Sequence, residues 1–315
     1  MVLRRGTSDA DTLYGTLNND TILGLAGDDA LYGGLPGDFF AVGADDRLDG
    51  GLGNDSLYAG TGNDTLLHSL GEDEFYGGAD HDILDYSRAG RAIDFEIGVF
   101  AFINGGAAEG DYAEGIEEVI GTRFSDEITA ASNFATTLTG GGGRDTLRGA
   151  FGFDDLFGGA GNDSLLGDWG NDTVHAGTGA DIVYGGDHND VLWGDAGNDT
   201  LYGGAGNDIL RGGVGADNLT AGTGDDTLFG AGGDDLFFIN FASSATVSRT
   251  VISDFKVLTG DRVMLAPTDA YNTYGEIMAA TEDVNGNATI HLFGGIDIVL
   301  LHVLKEDLTA ADFLL

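Results

Sequence analysis

The chain contains no cysteine, only 2 prolines, and 13 lysines and arginines against 53 aspartates and glutamates. Without cysteine there is no disulfide framework, no thiolate zinc site and no cysteine nucleophile. The shortage of basic residues excludes a nucleic-acid surface, since nothing gathers to neutralise phosphates. A formal charge of −40 likewise opposes bare contact with anionic lipid. No run approaches the roughly 18 apolar residues of a membrane helix, so no membrane span is expected. The start, MVLRRGTSDADTLYG, carries two arginines with no apolar run behind them and does not read as a secretory signal peptide. A His-Glu-x-x-His zinc motif, a Gly-x-Ser-x-Gly elbow and a phosphate-binding loop are also missing. With repeats beginning at Gly6, no enzymatic activity is expected of this chain.

Glycine, by contrast, supplies 56 of the 315 residues. That content alone would suggest a flexible linker, but the apolar residues are ordered in the sequence. An aspartate falls every ninth residue at Asp145, Asp154, Asp163, Asp172, Asp181, Asp190, Asp199, Asp208, Asp217, Asp226 and Asp235, with an apolar residue nearly always two places later. An earlier block has Asp11, Asp20, Asp29 and Asp38, then, after a one-residue contraction, Asp46, Asp55, Asp64, Asp73 and Asp82. Around each aspartate the text follows Gly-Gly-x-Gly-x-Asp-x-(apolar)-x, as in GGAGNDSLL (158–166) and GGAGNDILR (203–211), so one unit is being stacked.

Six glycine-rich residues turn the chain and three of the form x-apolar-x make a short strand, the apolar side chain pointing opposite to its neighbours. Two units make one coil, so equivalent residues recur every eighteen, spaced by about 4.8 Å. The aspartates then form two columns, which would repel themselves without counter-ions. Turn carbonyls and one carboxylate per layer offer an all-oxygen cage, which favours calcium over zinc, copper or magnesium. The gaps between layers would hold about 16 calcium ions, nearly neutralising the chain. At millimolar calcium each site adds about 0.4 to 1.4 kcal/mol. The sum rivals the stability of a whole domain, so the chain is expected to fold only where calcium is abundant.

These repeats closely resemble the RTX (repeat-in-toxin, haemolysin-type) calcium-binding nonapeptide family over about two thirds of the chain. The resemblance implies an all-β fold, a right-handed parallel β-roll, with calcium held by the repeat aspartates and nearby turn carbonyls. It also implies export by the type I secretion machinery of a Gram-negative bacterium. The C-terminal residues Asp312, Phe313, Leu314 and Leu315 match the acidic-then-apolar ending of some export signals in the family. Departures fall at Ala59, His68, Ala176 and Ala221, which replace the first glycine, and at Asn18. HSLGEDEFY (68–76) is the poorest unit, which weakens the site expected at Asp73.

Four segments are expected: a first roll block (1–85), an irregular wider solenoid connector (86–139), a second block (140–238) and a small, mainly-β C-terminal cap (239–315). In the cap, alternating runs at Thr250–Asp254, Asp261–Leu265, Thr289–Phe293 and Asp297–Leu301 read as strands. Asn285-Gly286 reads as a hairpin turn and 275–281 as a short helix. Such a cap covers the open end of a stack. His68, His81, His175 and His188 occupy different places in their units and share no site. Rows of large outward residues are expected, Phe157, His175, Trp193, Arg211 and Phe229 in one and Arg148, Leu166, Tyr184, Tyr202 and Thr220 in the other. They could meet sugars or another protein, or simply shield the strands. Threonines suited to ice binding, at Thr61, Thr178 and Thr223, form no regular row. The reading is a secreted structural, surface-layer or adhesive protein that self-associates. Its rival is a non-catalytic carrier or glycan-binding module accompanying a polysaccharide-modifying enzyme.

Overall fold

The structure is a computed structural model and describes residues 1–36, 43–97, 101–102, 105–130, 134–239, 248–257, 260–265, 273–292 and 295–314. Asp38, Phe293 and Leu315 lie outside these residues. The chain forms two compact units, 1–151 and 152–315.

In the C-terminal unit each nine-residue repeat yields one strand, and alternate repeats stack into parallel ladders at a step of eighteen. One ladder runs Asp155–Ala160, Thr173–Thr178, Val191–Ala196, Ile209–Val214 and Asp225–Gly232. The other runs Ser164–Trp169, Ile182–Asp187, Thr200–Ala205, Asn218–Thr223 and Leu236–Ile239. From Asp155–Ala160 to Asn218–Thr223 the strands are six residues long where the repeat suggests three, because pairing continues from the apolar triplet into the following residues, glycine or alanine first. Leu156, Val174, Leu192, Leu210 and Leu228 are fully buried, and so are Leu165, Val183, Leu201, Leu219 and Phe237. These two stripes face inward from opposite sides of the coil and form the core of a parallel β-roll.

The N-terminal unit repeats this plan in two parallel ladders, one through Thr21–Ala26, Arg47–Leu52, Thr65–Leu67 and Ile83–Asp85. The second runs through Thr12–Tyr14, Ala30–Tyr32, Ser56–Thr61 and Glu74–Ala79. One coil here is longer than expected. Thr21 pairs with Arg47 and Ala30 with Ser56, a step of 26 residues that corrects the one-residue contraction read from the sequence. The extra residues enter between Tyr32 and Arg47. Beyond residue 85 the step widens again, Ile83 pairing with Glu118 and Glu74 with Tyr112, before Glu118 pairs with Thr137. A third short ladder joins Ile93–Ile97, Glu127–Ala130 and Thr146–Arg148.

After residue 239 the described residues form short strands and one α-helix. Ser248–Ile252 and Arg262–Leu265 continue the two ladders of their unit in parallel. The helix is Tyr274–Ala279, capped at its start by the Thr273 side chain. Asn285 (φ 55°) and Gly286 (φ 82°) turn an antiparallel hairpin in which Val284 pairs with Asn287, the left-handed pair that a two-residue turn requires. Phe313–Leu314 is the last strand, paired with Val263 and Met264.

Candidate metal centre

The repeat aspartates stand in columns joined by their own carboxylates. In the C-terminal unit the backbone N–H of Asp172 donates to Oδ1 of Asp190 (2.9 Å), and that of Asp190 donates to Asp208 (2.9 Å). This column begins at Asp154 and ends at Asp226. Its companion links Asp163, Asp181, Asp199, Asp217 and Asp235 in the same way. In the N-terminal unit Asp20, Asp46, Asp64 and Asp82 form one column. Asp11, Asp29, Asp55 and Asp73 form the other, and Asp145 accepts from Asp126. All the described aspartates singled out in the sequence take part in these columns; Asp38 lies outside the described residues.

Sequence reasoning missed three members. Asp111 accepts from the Asp73 N–H (2.8 Å), Asp126 from the Ile93 N–H (2.8 Å) and Asp261 from the Asp235 N–H (3.1 Å). Each lies where the nine-residue spacing is broken, so only the local x-apolar-x text after the aspartate could have signalled it. The asparagine one place before the aspartate was overlooked too. The side-chain oxygens of Asn171, Asn189 and Asn207 each accept the backbone N–H one coil on, pinning the turn register from outside.

The inner carboxylate oxygens carry the chemistry. Oδ1 is used in the column, but Oδ2 of Asp29, Asp55, Asp64, Asp82, Asp172, Asp181, Asp190, Asp199, Asp208, Asp217, Asp226 and Asp235 is buried and receives no hydrogen bond. Such an oxygen costs about 1–3 kcal/mol or more if nothing compensates it, more when it is charged. Burial is also the main cause that pushes Asp82 and Asp190 up to about 8 and Asp55, Asp64, Asp199 and Asp208 up to about 7. Backbone N–H donors oppose the rise, and neighbouring aspartates add to it. The lone chain therefore holds a line of carboxylates that cannot all be ionised at neutral pH.

Among the described residues no three histidine, cysteine, aspartate or glutamate side chains gather as a metal group. Any shell at a turn thus draws on one or two carboxylates and is completed by backbone carbonyls. Hard oxygen donors in a flexible glycine turn suit a divalent calcium ion, and the unsatisfied Oδ2 atoms fit its charge.

The family model of the RTX calcium-binding nonapeptide repeat matches residues 5–36, 40–74, 69–88, 131–165, 139–174, 166–201, 184–219 and 202–237, more than half of the chain. The chain belongs to this family. RTX repeats bind calcium, and the parallel β-roll here is their architecture. No curated protein matches the chain. Among solved structures it resembles an extracellular lipase from Serratia marcescens, at 16% identity over 99% of this chain and with a TM-score of 0.19. The chain spans 40% of that lipase. It also resembles a hyperactive, calcium-dependent, beta-helical antifreeze protein from an Antarctic bacterium, at 21% identity over 75% of this chain and 85% of that one, with a TM-score of 0.23.

The outward rows stack as the RTX register dictates, but their rings face one another. His175 lies 4.2 Å from Trp193 at 6° between planes and 5.6 Å from Phe157 at 5°; Tyr184 and Tyr202 are 4.7 Å apart at 6°. Arg211 covers the ring of Phe229. In the N-terminal unit an unforeseen row, Tyr14, Tyr32, Tyr58 and Tyr76, stacks at 4.7–4.9 Å. Ring faces inside a row are thereby occupied by their neighbours, and the row presents its edges. At the surface His81 pairs with Glu118 (3.1 Å) and His175 with Asp195 (3.3 Å).

Proposed function

We propose that this chain is a secreted, non-catalytic β-roll whose repeat aspartates bind calcium, so that the fold is completed only outside the cell. The observation that carries the reading is the two columns per unit of buried Oδ2 atoms with no donor. The ligands are the repeat aspartates whose inner Oδ2 receives no donor, Asp29, Asp55, Asp64, Asp82 and those from Asp172 to Asp235, together with carbonyls of the same turns. Calcium supplies the positive charge that lets these carboxylates stay ionised while buried; the chain supplies the register that brings each pair together.

Type I secretion is the proposed route. In the segment that resembles the export signals, Asp312 and Phe313 are buried and Phe313 pairs with Val263. That segment would be readable before folding, in calcium-poor cytosol, and hidden afterwards. Outside, the protein acts as a structural or adhesive component at the bacterial surface, associating with itself. Edge-on aromatic rows favour this over a glycan module, because face stacking on sugars would need free ring faces. Electron microscopy of the purified chain with and without calcium tests the reading. Ordered arrays that appear only with calcium are expected; discrete monomers that instead retain a polysaccharide would favour the glycan module.

A further inference from the structure

Two kinds of repeat turn stand out among the described residues, and the residue four places before the aspartate distinguishes them. Where Oδ2 is unsatisfied, that residue has a positive φ: Gly186 (φ 121°) before Asp190, Gly204 (112°) before Asp208, and even Leu25 (91°) before Asp29. A β-branched residue adopts such angles only at considerable cost. Threonine or serine stands at this place before Asp11, Asp20, Asp73 and Asp126, and none of Thr7, Thr16, Ser69 and Thr122 has a positive φ.

These turns close on themselves. The Thr7, Thr16 and Thr122 backbone N–H groups donate to Oδ2 of Asp11, Asp20 and Asp126 at 2.6, 2.7 and 2.6 Å. Their hydroxyls donate to the same carboxylates at 2.9, 2.7 and 3.0 Å, and the Ser69 hydroxyl donates to Asp73 Oδ2 at 3.0 Å. At the Asp73 turn the next position back, glycine or alanine in the other nonapeptide units, is His68, whose buried ring lies 3.5 Å from Asp111 and stacks on Tyr86. We infer that these four turns are satisfied by the chain's own donors and take no calcium, so that the metal is confined to the turns with a positive φ.

Two of the closed turns lie where the stack is interrupted, Ser69 before the column steps from Asp73 to Asp111 and Thr122 where the spacing resumes, and Thr7 and Thr16 lie in one coil next to the widened step at residues 21–47. The last coil has a related closure, the Lys256 N–H donating to Asp261 Oδ2 (2.9 Å). A cation in a terminal or broken layer has fewer carbonyls from a neighbouring coil, and a fixed hydrogen-bond donor does not depend on that neighbour.

This inference rests on calcium binding by the repeat aspartates. It is tested by counting metal in the full-length chain after dialysis against calcium, together with anomalous scattering from calcium-loaded crystals of the unaltered protein. Thr16→Gly and Thr122→Gly are each expected to gain one ion, Asp126→Asn to change nothing, and Asp190→Asn to lower the count. Calcium at the Asp20 or Asp126 turn of the unaltered crystal, or an ion lost in Asp126→Asn, would overturn the inference while leaving calcium binding intact. An absence of calcium from every turn would overturn the wider reading with it.

Discussion

In the presence of a chelator, lowering the pH from about 7.4 to about 4.5 should increase the β content of the chain, with protons taking over part of the role of calcium. The buried carboxylates have folded-state pKa values raised above the unfolded value of 3.8. For a group shifted in that direction, the stability it allows is fully present below the unfolded pKa and is lost as pH rises through the folded one. The window therefore runs from about 4 to about 8, bounded by Asp82 and Asp190 at about 8 and by Asp55, Asp64, Asp199 and Asp208 at about 7. At neutral pH a rise of about three units costs about 4 kcal/mol per group. Halved for water reaching the turns, the three such groups in each compact unit together cost on the order of 6 kcal/mol. That equals the lower range of a whole domain's stability, so the metal-free unit is not expected to hold together at neutral pH. Far-UV circular dichroism in chelator across this window is the assay. Light scattering is followed in parallel because the sequence pI is about 4.1. A β signal that is flat, or that falls as the pH is lowered, would refute the reasoning.

Two further outcomes follow from the geometry. Leu201, fully buried in its inner stripe, should lose about 2–5 kcal/mol on Leu201→Ala, read as a lower melting temperature in saturating calcium with the metal count preserved. Gly197 (φ 154°) approaches the Gly179 carbonyl so closely that an added methyl cannot fit, so Gly197→Ala should raise the calcium needed for folding in a titration and lower the melting temperature.

Much of this was legible in the sequence because the signal is repeated. Nine residues with one apolar place fix the two inward stripes, and the aspartate spacing alone gives the Asp154–Asp226 and Asp163–Asp235 columns. The coil between Tyr32 and Arg47 was misread, since a shift of eight residues and a contraction of one look alike when the inserted text also carries an aspartate. Asp111 and Asp126 were invisible to a spacing rule because they restore the column across an interruption. The difference between open and closed turns was present in the text as Thr7, Thr16, Ser69 and Thr122. It acquires meaning only with backbone angles and donors, where a β-branched threonine resists a φ near +110° and the Ser69 hydroxyl donates to its aspartate. The outward rows were correctly aligned by the repeat, but side-chain orientation decides what they offer, and stacked rings show their edges.

The central claim is that calcium is a component of the fold. It is tested most directly by titrating calcium into the chelated full-length chain at about pH 7.4 while following far-UV circular dichroism. A weakly structured spectrum that turns β-rich in one cooperative step, at calcium of about 10⁻⁴ to 10⁻³ M and not with magnesium, is the expected result. A chain that is already fully β-rich in chelator and unchanged by calcium would contradict it.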